Sequence, residues 1–289
     1  MNIEIAASRW IAYRAQLAAL GALAPSTLRN NGKIIALWAR ELPIELIELR
    51  KSHVDVALAR LRRDRAPVTL ANDMAVLAQF LNWCADEQLI PARPRLPSVS
   101  VPQIERDLPS DAAFLWILKH TPPRTALALE FMLLTGLAPH ELERLEAGDY
   151  DRTRQSVGIG QRDDFAIKAA ARKRWVPLNA RAHAIWIQRT KGRDKTARAF
   201  PTVGAMEKAI QRARSGARDV PQGAETITPK VMRQWFASTL SDAVSEHVLQ
   251  KLLGHAPGSK ITRRHYVRST AESTERAVDS LTLKEKGIA

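Results

Sequence analysis

Lys230 and Arg233 stand three residues apart in TPKVMRQWFASTL, 228–240. In a helix that spacing puts both heads on one face. Met232, Trp235 and Phe236 fall largely on another side and anchor the helix in a core. Two cations on one face of an anchored helix suit a phosphate. A second segment, LLGH at 252–255, ends a helical run with Gly254 and places His255 just beyond the stop. A third, KITRRHYVR at 260–268, sets Tyr266 among Arg263, Arg264, His265 and Arg268, whereas a core tyrosine sits among apolar neighbours. A fourth, FAIKAAARKRWVPL at 165–178, reads as strand, turn and strand, with Lys168, Arg172, Lys173 and Arg174 near the turn. Taken singly, each also fits a solvated basic face or a structural histidine.

Those segments need elements to hold them. Residues 1–90 read as four helices: 3–20; one beginning near Pro25, with Leu28, Ile34, Ile35 and Trp38 at helical spacing; one capped by Ser52; and one carrying Leu70, Leu77, Phe80 and Leu81. Their apolar stripes form a small bundle. Arg60, Arg62, Arg63 and Arg65 make a dense basic run on it, a solvated face that could also meet phosphates. Residues 91–111 carry five prolines and no helical period, which marks an extended linker, placed at 91–108. The second domain, 109–289, opens at a Ser110 cap and continues through an apolar helix ending at Thr135-Gly136. DYDRTRQSVGIG, FAIK and KRWVPL read as short strands, and helices return at 180–188, 203–213, from Thr228-Pro229, and at 244–253. The fold class is mainly α with one small antiparallel β-sheet.

Composition narrows the partner. Lysine and arginine number 44 against 30 acidic residues, a net charge of +14, while 45% of residues are hydrophobic. Such a surplus on a chain able to bury a core points first to nucleic acid and second to an anionic membrane surface. No run approaches the ~18 apolar residues of a membrane span, and the acidic start MNIEIAASRW does not read as a secretory signal. Cys84 is the single cysteine, which excludes an internal disulfide and a multi-cysteine zinc site. A cytoplasmic protein fits these features.

TGLAPHEL at 135–142, RWVPL at 174–178, KVMR at 230–233, LLGH at 252–255 and Tyr266, eleven residues after His255, follow one another in the order and spacing of the tyrosine recombinase (phage integrase) catalytic domain. The helical region and proline-rich linker before them resemble that family's core-binding domain, so the resemblance covers nearly the whole chain. It implies a site-specific recombinase that closes as a clamp on a double-stranded recombination site and works as a homo-tetramer assembled on DNA. Accessory DNA-bending proteins are left open, and no metal or cofactor is required. Tyr266 is the implied nucleophile, with Arg233 and His255 on the phosphate and Glu141 in the kept surroundings of the first motif. Lys230 stands where the family has histidine. Lys168 is the implied general acid, but it lies one residue further from Val-Pro-Leu than the usual pattern, so Lys173 or Arg172 could hold that role. Arg172, Lys173, Arg174, Arg263, Arg264, Arg60, Arg62 and Arg63 are the expected DNA contacts.

One position departs from the pattern. Ala138 occupies the place of the family's first arginine, although Glu141 and Leu142 are kept. Arg144, six residues on, falls 240° off the face of residue 138 on a helix and is a poor substitute. Two readings stay open: a working recombinase whose arginine was replaced, and a relative that binds DNA without cutting it.

Overall fold

The computed structural model describes residues 1–102, 108–165, 167, 172–241, 243–256 and 258. The chain divides into two compact units, Met1–Glu105 and Arg106–Ala289.

The first unit is a bundle of four helices: α1 (Ile3–Ala19), α2 (Pro25–Glu41), α3 (Lys51–Leu61) and α4 (Pro67–Asp86). Proline opens both α2 and α4 at the first helical turn, where its missing N–H costs nothing. Ser52 is not the cap of α3. The helix starts one residue earlier, and the Arg50 N–H donates to Nδ1 of His53. Trp10 and Phe80 meet edge to face at 5.7 Å in the core. Trp38 donates its Nε1–H to the Asp73 carbonyl at 3.0 Å, and Arg65 pairs the buried Asp73 carboxylate at 2.7 Å. Ile90, Leu96 and Val99 pack on this core, so part of the proline-rich stretch belongs to the first unit.

The second unit holds α5 (Asp111–His120), α6 (Pro123–Thr135), α7 (Pro139–Leu142), strands β1 (Tyr150–Asp151), β2 (Ser156–Ile159) and β3 (Arg174–Pro177), then α8 (Ala180–Thr190), α9 (Val203–Ser215), α10 (Pro229–Ser241) and α11 (Glu246–Leu253). Ser110 caps α5 as expected, its Oγ accepting from the Ala113 N–H. α10 packs along α6, with Met232, Phe236 and Ala237 buried, and this fixes the side from which Arg233 reaches inward.

The strands form one antiparallel sheet in the order β1-β2-β3, with Val157 opposite Val176 and Ile159 opposite Arg174. Its boundaries differ from the sequence reading. DYDRTRQSVGIG folds back on itself and supplies both β1 and β2. Phe165 and Ile167 of FAIK lie outside the sheet. The Phe165 N–H closes a turn onto the Arg162 carbonyl at 3.1 Å, and the Arg162 guanidinium, fixed by Asp149 at 2.8 Å, covers the Phe165 ring. The Phe165 N–H thus serves a turn and not a ladder.

Candidate active site

The site gathers where two helix stops meet one helix start. α6 ends at Gly136 in the left-handed region (φ +63°), and α11 ends at Gly254 likewise (φ +65°). Both need glycine for a second reason. A Cβ on Gly136 would lie 2.2 Å from the Phe236 ring, and one on Gly254 would lie 2.7 Å from an Arg174 nitrogen. Between the two lies α7, whose cap position is Ala138.

Glu141 is the hub. Its Oε2 accepts the Ala138 N–H at 2.9 Å, the back-reaching half of a capping box. Arg174 donates to both carboxylate oxygens, at 3.1 and 2.9 Å. Arg172 Nη1 reaches Oε1 at 3.2 Å, and Arg233 Nη1 lies 3.5 Å from Oε2. The Glu141 side chain is 1% exposed. Burial alone would raise its pKa, but the hydrogen bond and charge of Arg174, the charge of Arg233 and the Ala138 N–H hold it down at about 2.

Helix ends hold the arginines. Arg174 donates its Nε–H to the Leu252 carbonyl at 2.8 Å, and Arg233 Nη2 donates to the Leu253 carbonyl at 2.6 Å. These last-turn carbonyls of α11 have no partner within the helix, and the helix end favours cations. Arg233 Nη1 also donates to the Gly136 carbonyl at 2.9 Å.

His255 follows the stop and turns back, its N–H donating to the Gln250 carbonyl at 2.9 Å. Its Nε2 lies 3.2 Å from Arg233 Nη2. The arginine nitrogen is a donor, so Nε2 accepts and the ring is neutral with its proton on Nδ1. Burial, and then the charges of Arg233, Arg172 and Arg174, push the histidine pKa down to about 4, against a smaller pull from Glu141.

The structure therefore brings together Ala138, Glu141, Arg172, Arg174, Arg233 and His255. It treats the other candidates differently. Lys230 is exposed while Arg233 is buried, and no contact joins the two among the described residues. Lys173 is exposed, with Arg172 and Arg174 turned the other way. Arg174, expected at the DNA, is buried instead, because its donors serve Glu141 and α11. Arg60, Arg62 and Arg63 are all exposed, and Arg60 is held by Glu41, through the backbone carbonyl at 2.9 Å and the carboxylate at 3.3 Å. Arg62 joins Lys51 and Arg95 in lining a cleft of about 590 Å³ on the first unit. Tyr266, Lys168, Arg263 and Arg264 lie outside the described residues.

Reading the sequence by motif missed that Glu141 organises the arginines. Its own position gave the only signal, a carboxylate three residues after Ala138 at the start of a short helix, where a capping side chain reaches back.

Residues 112–273, more than half of the chain and a span holding every candidate catalytic residue, match the phage integrase family. This chain is a tyrosine recombinase family member. Tyrosine recombinase XerC of Treponema denticola is 24% identical over 276 residues, covering 86% of this chain and 88% of that protein. Among solved structures, the Tn1549 transposon integrase in complex with circular intermediate DNA matches with a TM-score of 0.73 at 16% identity, covering 96% of this chain and 99% of that one. The lambda integrase tetramer bound to a Holliday junction matches at 0.69 and 18%, covering 91% and 79%. The recombinase fold is thus shared over almost the whole length. Among the described residues, no helix is long and apolar enough to cross a membrane.

Proposed function

We propose that this chain is a site-specific DNA recombinase that cuts and rejoins duplex DNA through a 3′-phosphotyrosine bond on Tyr266. The observation that carries this reading is the convergence of Arg172, Arg174 and Arg233 on one buried carboxylate beside His255. Cations outnumber the carboxylate at which they meet, and His255 is kept neutral by burial first and by these cations second. Such a site favours the negative charge that builds on a phosphate's non-bridging oxygens during transfer.

In this reading the Tyr266 oxygen attacks phosphorus and gives up its proton to water, and the bond to the 5′-oxygen breaks. Lys168 supplies the proton that turns that oxygen into a hydroxyl. Arg233, now facing His255 at 3.2 Å, turns to a phosphate oxygen, and His255 joins it once its Nε2 carries a proton. Lys230 approaches from the exposed face as a further donor. The energy of the broken phosphodiester is kept in the phosphotyrosine, so rejoining needs no nucleotide. Four copies assemble on two DNA sites for strand exchange.

A second reading rests on Ala138. Loss of one fixed donor typically costs ~10²–10³ in rate, while DNA binding, spread over many cations, persists. The chain would then be a recombinase-derived DNA-binding protein. Covalent trapping on nicked DNA from the flanks of its own gene separates the two, with Tyr266→Phe and Ala138→Arg as comparisons. An adduct that needs Tyr266 supports the recombinase. Binding without an adduct, even with arginine at 138, supports the second reading.

A further inference from the structure

The geometry points to Arg172 as a catalytic phosphate ligand that takes over the task of an arginine at position 138; this rests on the recombinase reading. Three guanidiniums share Glu141, but they are not equivalent. Arg174 is 5% exposed and Arg233 is 6% exposed, whereas Arg172 is 22% exposed. Arg174 is committed to Glu141, to the Leu252 carbonyl and to the Arg172 carbonyl. The two terminal nitrogens of Arg233 reach the Gly136 and Leu253 carbonyls, Glu141 and His255.

Arg172 differs. Its side-chain contacts run through Nη1 alone, to Glu141 Oε1 at 3.2 Å and His140 Nε2 at 3.4 Å. Among the described residues nothing engages its Nε or Nη2. Nη1 of the guanidinium is therefore braced on the carboxylate, while Nε and Nη2 are left uncommitted among the described residues. A planar fork held by one edge and offering the other suits a phosphate oxygen.

Its position fits the vacated role. The carboxylate that holds Arg172 also accepts the Ala138 N–H at 2.9 Å, so the guanidinium ends one carboxylate away from residue 138. On its other flank the Arg172 backbone passes Gly254, where an added Cβ would lie 3.1 Å from the Arg172 Cα, next to His255. Arg172 is half-buried and reaches Glu141 whereas Lys173 is exposed, so of these two residues before β3 Arg172 is the one at the site.

The test is the initial rate of Tyr266-dependent adduct formation on nicked DNA. It is read for Arg172→Ala and Arg172→Lys, each made in this chain and in the Ala138→Arg variant. In the chain with Ala138, Arg172→Ala is expected to lower the rate by ~10²–10³, and Arg172→Lys to recover part of it. In the Ala138→Arg background, Arg172→Ala should have little effect. A methylphosphonate at the cleaved position, which removes the non-bridging charge, should shrink the loss caused by Arg172→Ala. A purely structural role would leave the loss unchanged on that substrate, and the melting temperature of each variant reports folding separately. The inference is overturned if Arg172→Ala leaves the rate intact, lowers it equally in both backgrounds, or keeps its full effect on methylphosphonate. It is overturned too if an adduct forms only in the Ala138→Arg background. If no version forms one, the recombinase reading itself fails.

Discussion

Arg174 clasps Glu141 through both terminal nitrogens, at 3.1 and 2.9 Å, across 33 residues of sequence. The pair ties β3 to α7, and through the Leu252 carbonyl it ties both to the end of α11. Removing the carboxylate therefore strips three guanidiniums of a shared counter-charge at once. Glu141→Gln keeps the shape and loses the charge. We expect it to destabilise the second unit by about 3–5 kcal/mol, the usual cost of breaking a buried pair from one side. Chemical denaturation followed by tryptophan fluorescence reads this directly, and a change below 1 kcal/mol, roughly that of a surface pair, would show that the carboxylate is not the hub.

Acid should act on the same pair in a defined window. The Glu141 pKa falls from 4.5 to about 2 on folding, so between those values the unfolded chain binds the extra proton. Its stabilisation is complete above 4.5 and is lost as the pH drops through 2, about 3 kcal/mol in all. His255 acts in a higher window. It is neutral in the fold down to about 4, while the unfolded residue takes its proton near 6.5. Stability should thus begin to fall below 6.5 on account of His255 and fall further below 4.5 on account of Glu141. Denaturation curves at pH 7, 5.5 and 4 test the order, and His255→Gln should flatten the upper step only.

How much of this was legible in the sequence divides by distance along the chain. The Ser110 cap, the Gly136 and Gly254 stops and the anchored face of α10 are local, written in neighbouring residues, and read correctly. Arg174 did not. Its charge suggested a surface, and only its pairing with a residue 33 positions away makes it a buried brace. The Leu252 and Leu253 carbonyls that hold two arginines carry no sequence signal at all, since every residue has a carbonyl. FAIK looked like a strand from its apolar content. The turn that Arg162 and Asp149 fix beneath Phe165 depends on an ion pair between residues that propensity treats separately.

DNA should change the state of His255. Burial, and then Arg233, Arg172 and Arg174, hold its pKa low, and a bound phosphodiester adds negative charge within the same group. An opposite charge at ~4–6 Å typically favours the charged form by ~1–3 pKa units. The imidazole should therefore titrate higher in a complex with duplex DNA than in the free protein, where it titrates at about 4. NMR of the histidine ring carbons, assigned with His255→Gln, measures both states; an unchanged value would place the phosphate elsewhere.

Gly254 positions the site without offering a side chain. Its φ of +65° is strained for alanine by roughly 1–2 kcal/mol. The added Cβ would also press on Arg174 at 2.7 Å. Gly254→Ala should lower the melting temperature and slow Tyr266 adduct formation together, whereas alanine at Gly192, which has φ +69° but open space around it, should cost stability alone. Equal loss of adduct rate in both variants would mean that Gly254 acts only through the backbone.

The basic run on the first unit offers a test of which cations meet DNA. With a net charge of +14, the chain should bind duplex DNA with an affinity that falls steeply as salt rises. Each phosphate contact removed should flatten the plot of log affinity against log salt by about one unit. Arg62 and Arg63 are exposed and have no ion pair among the described residues, while Arg60 is held by Glu41 at 3.3 Å. Arg62→Ala and Arg63→Ala should each reduce the slope, and Arg60→Ala should change it little. If Arg60→Ala flattens the slope as much as the other two, its pairing with Glu41 yields to phosphate, and the face that meets DNA is broader than the unpaired arginines indicate.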